Sequence, residues 1–512
     1  MKRMSFIFES CKEAIRVTFF GFALLALGFL IQNESINIFY TFKSAFVLLL
    51  GEFAFKFGEC IVVNLPLIFM LNLVCKRTNN AFPLISAILG YFSFLIATML
   101  FAPTGLDSTA YISNNFLTSA FGLNTAGTRL PLNTGMIGSL IIALITRYTY
   151  IRSRHNNMTY NNNYFDKDLF GILYNVVLCL IAGVLVSFAY PFIFKQVQSV
   201  FLYISKDLND PIRIGLFGFF DRLFSILGIP NIIKNPFYYT SLGGSYQAVN
   251  GQIAVGDINI WQATKDLSSG YQGAGRFVTP YYVINIFVIP MFYFGLYKSI
   301  TNPKEKNKFL LLFILVSALS IVCGNPLPTE LLLLFSSPIL LLAYIIFVGF
   351  IFGILTYCDI FLGSNIVGMN AWSTMPGNLP DYLINLRNVY HLEAIKNIAI
   401  VGAIVGIIIF FITYLYFRYL AIDSASVSSK EGFANVVFDS IGGKENVKSC
   451  TSGLFRIMIE VNNNEKIDIE KIKTLNVSRI LQTKNGINID VGTSAYIVAK
   501  VINDSVTNTH WH

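Results

Sequence analysis

Long apolar runs separated by short polar breaks fill the chain up to about residue 420, after which the hydrophobic spacing shortens and the polar fraction rises. A spanning helix needs about 20 mostly apolar residues. Runs near that length cover residues 16–31, 45–75, 82–102, 135–150, 169–194, 281–300, 309–322, 331–355 and 394–416. The second is interrupted by polar residues between Glu59 and Asn64. The pattern predicts about eight to ten spans, with some apolar pieces re-entrant. Residues 195–280 differ: they are moderately apolar and rich in Gly, Asn, Tyr and Ser, and Pro211, Pro230 and Pro236 are expected to break helices there. Irregular backbone at membrane depth must be buried in protein or line a watery cavity, as it does in transporter substrate sites. The other reading is an extramembranous loop. A second irregular stretch, residues 323–330, carries Gly324, Pro326 and Pro328 and ends at Glu330. That carboxylate is either a functional intramembrane group or a loop-tip residue in water.

Past residue 420 the pattern is that of a soluble domain. Residues 421–430 are small, polar and Ser-rich, a linker. Phe433, Val436 and Val437 have helical spacing, residues 455–461 alternate as a half-buried strand, and residues 467–475 return to helical spacing. Residues 480–481 and 487–491 read as strands around a Lys484-Asn485-Gly486 turn, and residues 494–503 as a closing helix. The fold class is therefore a polytopic α-helical membrane protein followed by a small α+β domain with an antiparallel sheet, divided as 1–420, 421–430 and 431–507. Cys450 is the one cysteine outside the apolar body and follows the Gly442-Gly443 turn. Placed at the start of a strand, its sulfur is expected to be exposed. Lys444 and Lys448 then lie near the thiol, and the N–H groups of Thr451, Ser452 and Gly453 form a cradle for a phosphoryl group. The bland alternative is a buried, inert cysteine.

Composition narrows the class. Of 512 residues, 54% are hydrophobic and 13% charged, against about 25% charged in soluble domains. The net charge of +9 comes from basic residues scattered between apolar runs, which fits cytoplasmic loops and excludes a nucleic-acid-binding stripe. Lys76-Arg77, residues 147–154 and residues 298–308 are such loops. Lys2 and Arg3 precede the first run without a small-residue cleavage site, so the N-terminus is read as retained and cytoplasmic. Seven cysteines in no disulfide spacing suit a reducing compartment. Neither a metal nor a cofactor is expected.

Several motifs, in order, resemble a known family. Ile441 to Val447 is similar to its "LGGKENI" element, with Cys450 following. Asn64-Leu65-Pro66-Leu67-Ile68-Phe69 with Asn79-Asn80 looks like "NLPLLFAIGVA…NNGAAAL", and residues 133–138 look like "DTGVFGG". Arg222-Leu223 through Asn235-Pro236-Phe237-Tyr238 resembles "NRLLIPFGLHHILNTPFWF". Gly256-Asp257, Gly275-Arg276-Phe277 and Phe294-Gly295-Leu296 complete the set. The chain thus resembles a two-domain permease of the bacterial phosphoenolpyruvate-dependent sugar phosphotransferase system, in the glucose, N-acetylglucosamine and maltose superfamily, with a membrane IIC domain before a IIB domain.

The resemblance implies import of a sugar across the bacterial cytoplasmic membrane and its phosphorylation from a phosphocysteine at Cys450 on a cytoplasmic IIB domain. It also implies a separate IIA phosphocarrier, pairing through the IIC domain and contact with lipid. The linker would hold the IIB domain at roughly millimolar effective concentration. Departures are visible. The family's C-I-T-R-L-R becomes Cys450-Thr451-Ser452-Gly453-Leu454-Phe455, with Arg456 one place out of register, and its His-His falls on Pro230-Asn231. Its G-I-T-E-P-x-E meets residues 324–330, where Glu330 matches either Glu depending on a gap. Glu330 is then the candidate base and sugar contact. Asn64, Asn231, Lys234, Asn235, Arg222 and Arg276 are candidate substrate-binding residues, although the two arginines equally suit loop bracing. Trp261, Tyr238 and Tyr239 are candidates to stack on a sugar. Two rival readings are a non-phosphorylating transporter with a degenerate IIB domain and a membrane sensor of sugar or phosphorylation state.

Overall fold

The computed structural model describes residues 12–32, 44–75, 82–112, 130–154, 167–247, 251–267, 273–300, 303–365, 376–420 and 430–506, less single or short gaps at 104, 337, 454–455, 474–476, 478, 492–494, 496–497, 500–501 and 504–505. The expected linker, the Asn79-Asn80 motif and parts of the expected closing helix lie outside these residues.

Apolar length makes the helices. Five described helices are long and apolar enough to cross a membrane: Phe82–Phe101, Asp168–Ser205, Thr279–Ser299, Ile339–Tyr357 and Val389–Arg418. A sixth candidate is the pair α2 (Ala45–Val63) and α3 (Leu65–Cys75), bent by 60° at Asn64. Among the described residues this gives five or six candidate spans, beside the eight to ten expected from the whole sequence. The run at 331–355 forms two helices, α12 (Leu327–Ser336) and α13 (Pro338–Tyr357), the second of which supplies one of the five spans. The apolar stretches Arg16–Gln32 and Phe309–Cys323 lie within the 21-residue helices Lys12–Gln32 and Pro303–Cys323, and α5 (Gly135–Arg154) carries Arg147, Arg152 and Arg154 in its second half.

By contacts the chain divides into two compact units, one of 6–286 with 319–399 and one of 287–318 with 400–512. In the first, α1 (Lys12–Gln32) packs on α2 through glycines. A Cβ on Gly28 would stand 2.4 Å from the Phe55 amide nitrogen, and one on Gly58 would stand 2.6 Å from that of Leu25. Residues 195–280 are more regular than expected. Helix α6 (Lys167–Ser205) runs into α7 (Pro211–Ile226), then α8 (Asn231–Tyr239), a short hairpin of β1 (Ser245–Gln247) and β2 (Ile253–Val255), and α9 (Asp257–Thr264). Pro211 opens a helix instead of breaking one: it sits in the first turn, with Asp210 accepting from the Ile212 amide at 2.9 Å as N-cap. Pro236 lies inside α8. The first unit also holds α14 (Leu379–Asn385) and the parts up to 286, from 319 and up to 399 of α10 (Thr279–Ser299), α11 (Pro303–Cys323) and α15 (Leu392–Leu415), whose remainders belong to the second.

In the second unit, α16 (Lys430–Ser440) precedes a four-stranded antiparallel sheet in the order β3-β4-β6-β5. The strands are β3 (Val447–Ser452), β4 (Arg456–Val461), β5 (Arg479–Thr483) and β6 (Gly486–Asp490), with α17 (Ile469–Lys473) between β4 and β5. Ile457, Ile459, Ile487 and Ile489 point from the sheet into one core with Phe433, Val437 and Phe438 of α16. The antiparallel hairpin turn at Gly486 and strands β4 to β6 follow the alternation read from the sequence.

Replacing Gly58 by Leu should open the α1–α2 hairpin, because backbone and not a flexible side chain blocks the new Cβ. The expected cost is about 1–3 kcal/mol of overpacking. It is read as a lower unfolding temperature in detergent than for Phe57→Ala, which alters the neighbouring exposed side chain.

Candidate functional site

Helix α7 carries Asp221 and Arg222 side by side, and both are buried, at 0% and 1% exposure. Burial of adjacent charges is costly unless each is paired. Arg222 Nη2 donates to Asp221 Oδ2 at 2.6 Å and Nε donates to the same oxygen at 3.1 Å. Its Nη1 donates to Glu330 Oε1 at 3.0 Å. The guanidinium fork therefore joins two carboxylates from different helices. Lys234 Nζ stands 3.8 Å from Asp221 Oδ1. Two carboxylates and two cations thus balance formally.

Tyr281 binds the group together. Its hydroxyl donates to Asp221 and accepts from Arg222. Its ring lies 4.9 Å from the Arg222 guanidinium carbon and 4.9 Å from Lys234 Nζ, so both cations face the π-cloud. Tyr344 of α13 lies beside Glu330.

Local sequence explains the convergence. Gly215 and Gly349 let α7 and α13 approach closely, since a Cβ on Gly215 would meet the Gly349 carbonyl oxygen at 3.0 Å. Gly324, with φ of +62°, ends α11 in the left-handed region. Asn325 Oδ1 then accepts from the Leu327 amide at 3.0 Å, which starts α12. Glu330 sits in its first turn, where the helix dipole favours an anion. Glu330 is wholly buried, which removes the reading of a loop-tip carboxylate in water. Tyr281 is fixed by the start of α10, where Thr279 Oγ1 donates to the Gly275 carbonyl at 2.8 Å and accepts from the Leu362 amide at 2.7 Å.

Of the residues singled out in the sequence, Arg222, Lys234 and Glu330 come together. Asn231, Lys234 and Tyr238 share a face of α8 through their i, i+3 and i+7 spacing. Asn231 Oδ1, Asn235 Oδ1 and Asp221 Oδ1 are buried acceptors that accept no hydrogen bond among the described residues. Asn64 marks the 60° bend between α2 and α3. Its Nδ2 donates to the Cys60 carbonyl at 2.8 Å and its buried Oδ1 has no partner among the described residues. Arg276 serves as a brace: Nε donates to Gly273 O at 2.8 Å, and Nη1 donates to Asn209 Oδ1 at 3.1 Å and to Leu208 O. Asp257 holds the same turn, accepting from the amides of Gly275 at 2.8 Å and Phe277 at 3.3 Å. Trp261 is buried with its ring 4.8 Å from that of His391. Sequence reasoning missed Asp221, Tyr281 and Tyr344. The available signal was Asp221 itself, an acid directly before Arg222 on an otherwise apolar helix.

The family model for the phosphotransferase system EIIC domain matches residues 14–349, about two thirds of the chain. The chain belongs to that family. It is a multi-pass membrane protein of the sugar phosphotransferase system, with a sugar as substrate and other proteins of that system as partners. Asp221, Arg222, Lys234, Tyr281, Glu330 and Tyr344 all fall inside the matched EIIC residues.

Cys450 differs from expectation. It lies in the middle of β3, not at a strand start, and is 5% exposed. The pairing shifts register between Val447, opposite Val461, and Ser449, opposite Glu460, leaving Lys448 as the extra residue of a bulge. The bulge turns both Val447 and Cys450 inward, and Cys450 joins the core with Val437, Ile457 and Ile459. Burial pushes its thiol up to about 12. A thiol there is protonated at neutral pH and gives no poised nucleophile.

Arg222→Leu should cost about 3–5 kcal/mol, because it strands two buried carboxylates. Glu330→Gln should cost less, since its amide still accepts from Arg222; thermal unfolding in detergent compares the two. For Cys450, about one thiol in ten thousand is ionised at pH 8 given a pKa near 12. Maleimide should therefore label it at least 100-fold more slowly than exposed Cys358, by peptide mass spectrometry. The sign also fixes alkaline behaviour: stabilisation by the buried neutral thiol is complete below the ordinary value of 9.0 and fades as pH rises from 9.0 towards 12.

Proposed function

We propose that the Arg222 cluster is the sugar site of this permease, and that the sugar it carries is released as a phosphate ester. The observation that supports this most is the pair of open buried acceptors on α8, Asn231 Oδ1 and Asn235 Oδ1, with Asp221 Oδ1 on α7 met among the described residues only by Lys234 Nζ at 3.8 Å. A buried acceptor left without a donor costs about 1–3 kcal/mol, so these groups favour a ligand that brings several hydroxyl donors. A sugar does so. Lys234 supplies a donor beside them, and Glu330 offers a carboxylate to take the proton that a hydroxyl loses as it attacks phosphorus.

The wider reading keeps the IIC–IIB order and kinship with the glucose, N-acetylglucosamine and maltose transporters, which rest on the ordered motifs. Pairing of two IIC domains, a cytoplasmic C-terminal domain and a IIA donor in trans belong to the same proposal. Relay of the phosphoryl group through Cys450 is the family's route. It is supported by the Gly-Gly-Lys-Glu-Asn approach and opposed by the thiol's burial. The rival of a transporter with a degenerate IIB domain draws on that burial.

Binding of hexoses, amino sugars and disaccharides to the purified chain tests the site. Glu330→Gln should weaken the preferred sugar at least tenfold by radioligand binding, and Lys234→Gln likewise, while Arg276→Lys should stay within about threefold, as a brace remote in bonding from the cluster. Equal affinity in wild type and Glu330→Gln contradicts the assignment.

A further inference from the structure

Resting on the reading that the sugar leaves phosphorylated, we infer that the phosphoryl group reaches it from a separate polypeptide and never resides on the C-terminal domain of this chain. Residues 421–507 contain one cysteine, Cys450, and no histidine. The domain therefore has a single residue of the two types that form labile phosphoryl bonds by nucleophilic attack in carriers of this kind.

That residue is built into the core. Cys450 pairs with Ile459 of β4 and packs in one apolar cluster with Phe433, Val437 and Ile457. Its backbone carbonyl accepts from Asn503 Nδ2 at 2.8 Å, fixing the strand from a second side. Phosphorylation would place about −1.5 to −2 charges in that core, where an unpaired charge costs several kcal/mol. In-line attack also needs an open line from sulfur to the donor's phosphorus. Turning the thiol outward requires removing the bulge at Lys448, a one-residue slip that moves every inward side chain on one side of it to the opposite face.

The β3–β4 connection next to it, residues 453–455, contains neither cysteine nor histidine. Gly453 occupies the β3–β4 connection, its amide donating to the Arg456 carbonyl at 2.8 Å. Aligning Arg456 with the first arginine of C-I-T-R-L-R places the motif's cysteine on Gly453. Arg456 itself is engaged by Asp490, with Nη2 donating to Oδ2 at 3.1 Å. The domain has the arginine and has glycine where the motif has its cysteine.

The step is then between chains. The carrier's P–S or P–N bond breaks, a bond forms from the sugar hydroxyl oxygen to phosphorus, and the hydroxyl proton passes to a carboxylate of the cluster. The carrier is a phosphocysteine or phosphohistidine protein that reaches the EIIC sugar site without help from Cys450.

The test uses the full chain in proteoliposomes with cytosol of the source cells, ³²P-phosphoenolpyruvate and the ¹⁴C-labelled sugar selected by binding. Wild type and Cys450→Val should form sugar phosphate at rates within twofold of each other, and peptides from residues 431–512 should carry no phosphate. Phosphate on Cys450, His510 or His512 overturns the inference. So does a loss of more than tenfold in Cys450→Val when its sugar affinity matches wild type, and Cys450→Ala separates lost packing from lost chemistry. A wild-type chain that binds sugar but yields no sugar phosphate instead overturns the phosphorylation reading, and the binding measurement tells the two failures apart.

Discussion

The guanidinium of Arg222 holds two carboxylates from separate helices inside a largely apolar body. Asp221 precedes it on α7, and Glu330 reaches it from the first turn of α12. Neither acid is stable there alone, since an isolated buried charge is far more costly than a paired one. The pairing therefore fixes where α12 begins relative to α7. Tyr281 ties α10 to the same point, and Lys234 adds α8. Four helices, α7, α8, α10 and α12, converge on one charge cluster, and the glycine contacts between α7 and α13 bring those two helices close.

A cluster of this kind supports a transport site because it is satisfied internally but incompletely. Arg222 is fully engaged by oxygen partners, which makes it a scaffold more than a ligand contact. Acceptors without a hydrogen bond among the described residues remain at Asp221 and, on α8 with Lys234, at Asn231 and Asn235. On the proposed reading, the rigid part orients the sugar and the open part recognises it. The bend at Asn64, with its own open carbonyl oxygen, places a second polar break within an apolar helix pair. Discontinuous helices of this type are where transporters gather substrate contacts.

The apolar runs made the membrane class legible, since burial in lipid needs only length and composition. Arg222, Lys234 and Glu330 were also legible, because charges inside apolar segments are few. Tyr281 was not: a tyrosine in an apolar helix reads as core or belt, and only the tertiary fold brings its hydroxyl to Asp221. Pro211 and Pro236 misled as breakers, because proline is tolerated in a helix's first turn and a short helix can absorb one within it. In the C-terminal domain, strict alternation read β4 and β6 correctly, since Ile457, Ile459, Ile487 and Ile489 keep period two. β3 was not read as a strand of its own: Cys450 was expected at a strand start, whereas the bulge at Lys448 places it mid-strand and turned inward. One extra residue reversed the reading of the most conspicuous side chain in the domain.

Two sites of different standing result. The EIIC body holds a charge cluster with unsatisfied acceptors, and the C-terminal domain holds a well-packed core where a phosphoryl carrier was expected. The most direct measurement is a cryo-electron microscopy structure of the full chain loaded with its tightest-binding sugar. Density for the sugar should lie within hydrogen-bonding distance of Asp221 or Glu330 and of Asn231, Lys234 or Asn235, with the Arg222–Glu330 pair intact. Sugar density away from all five of these residues would contradict the account.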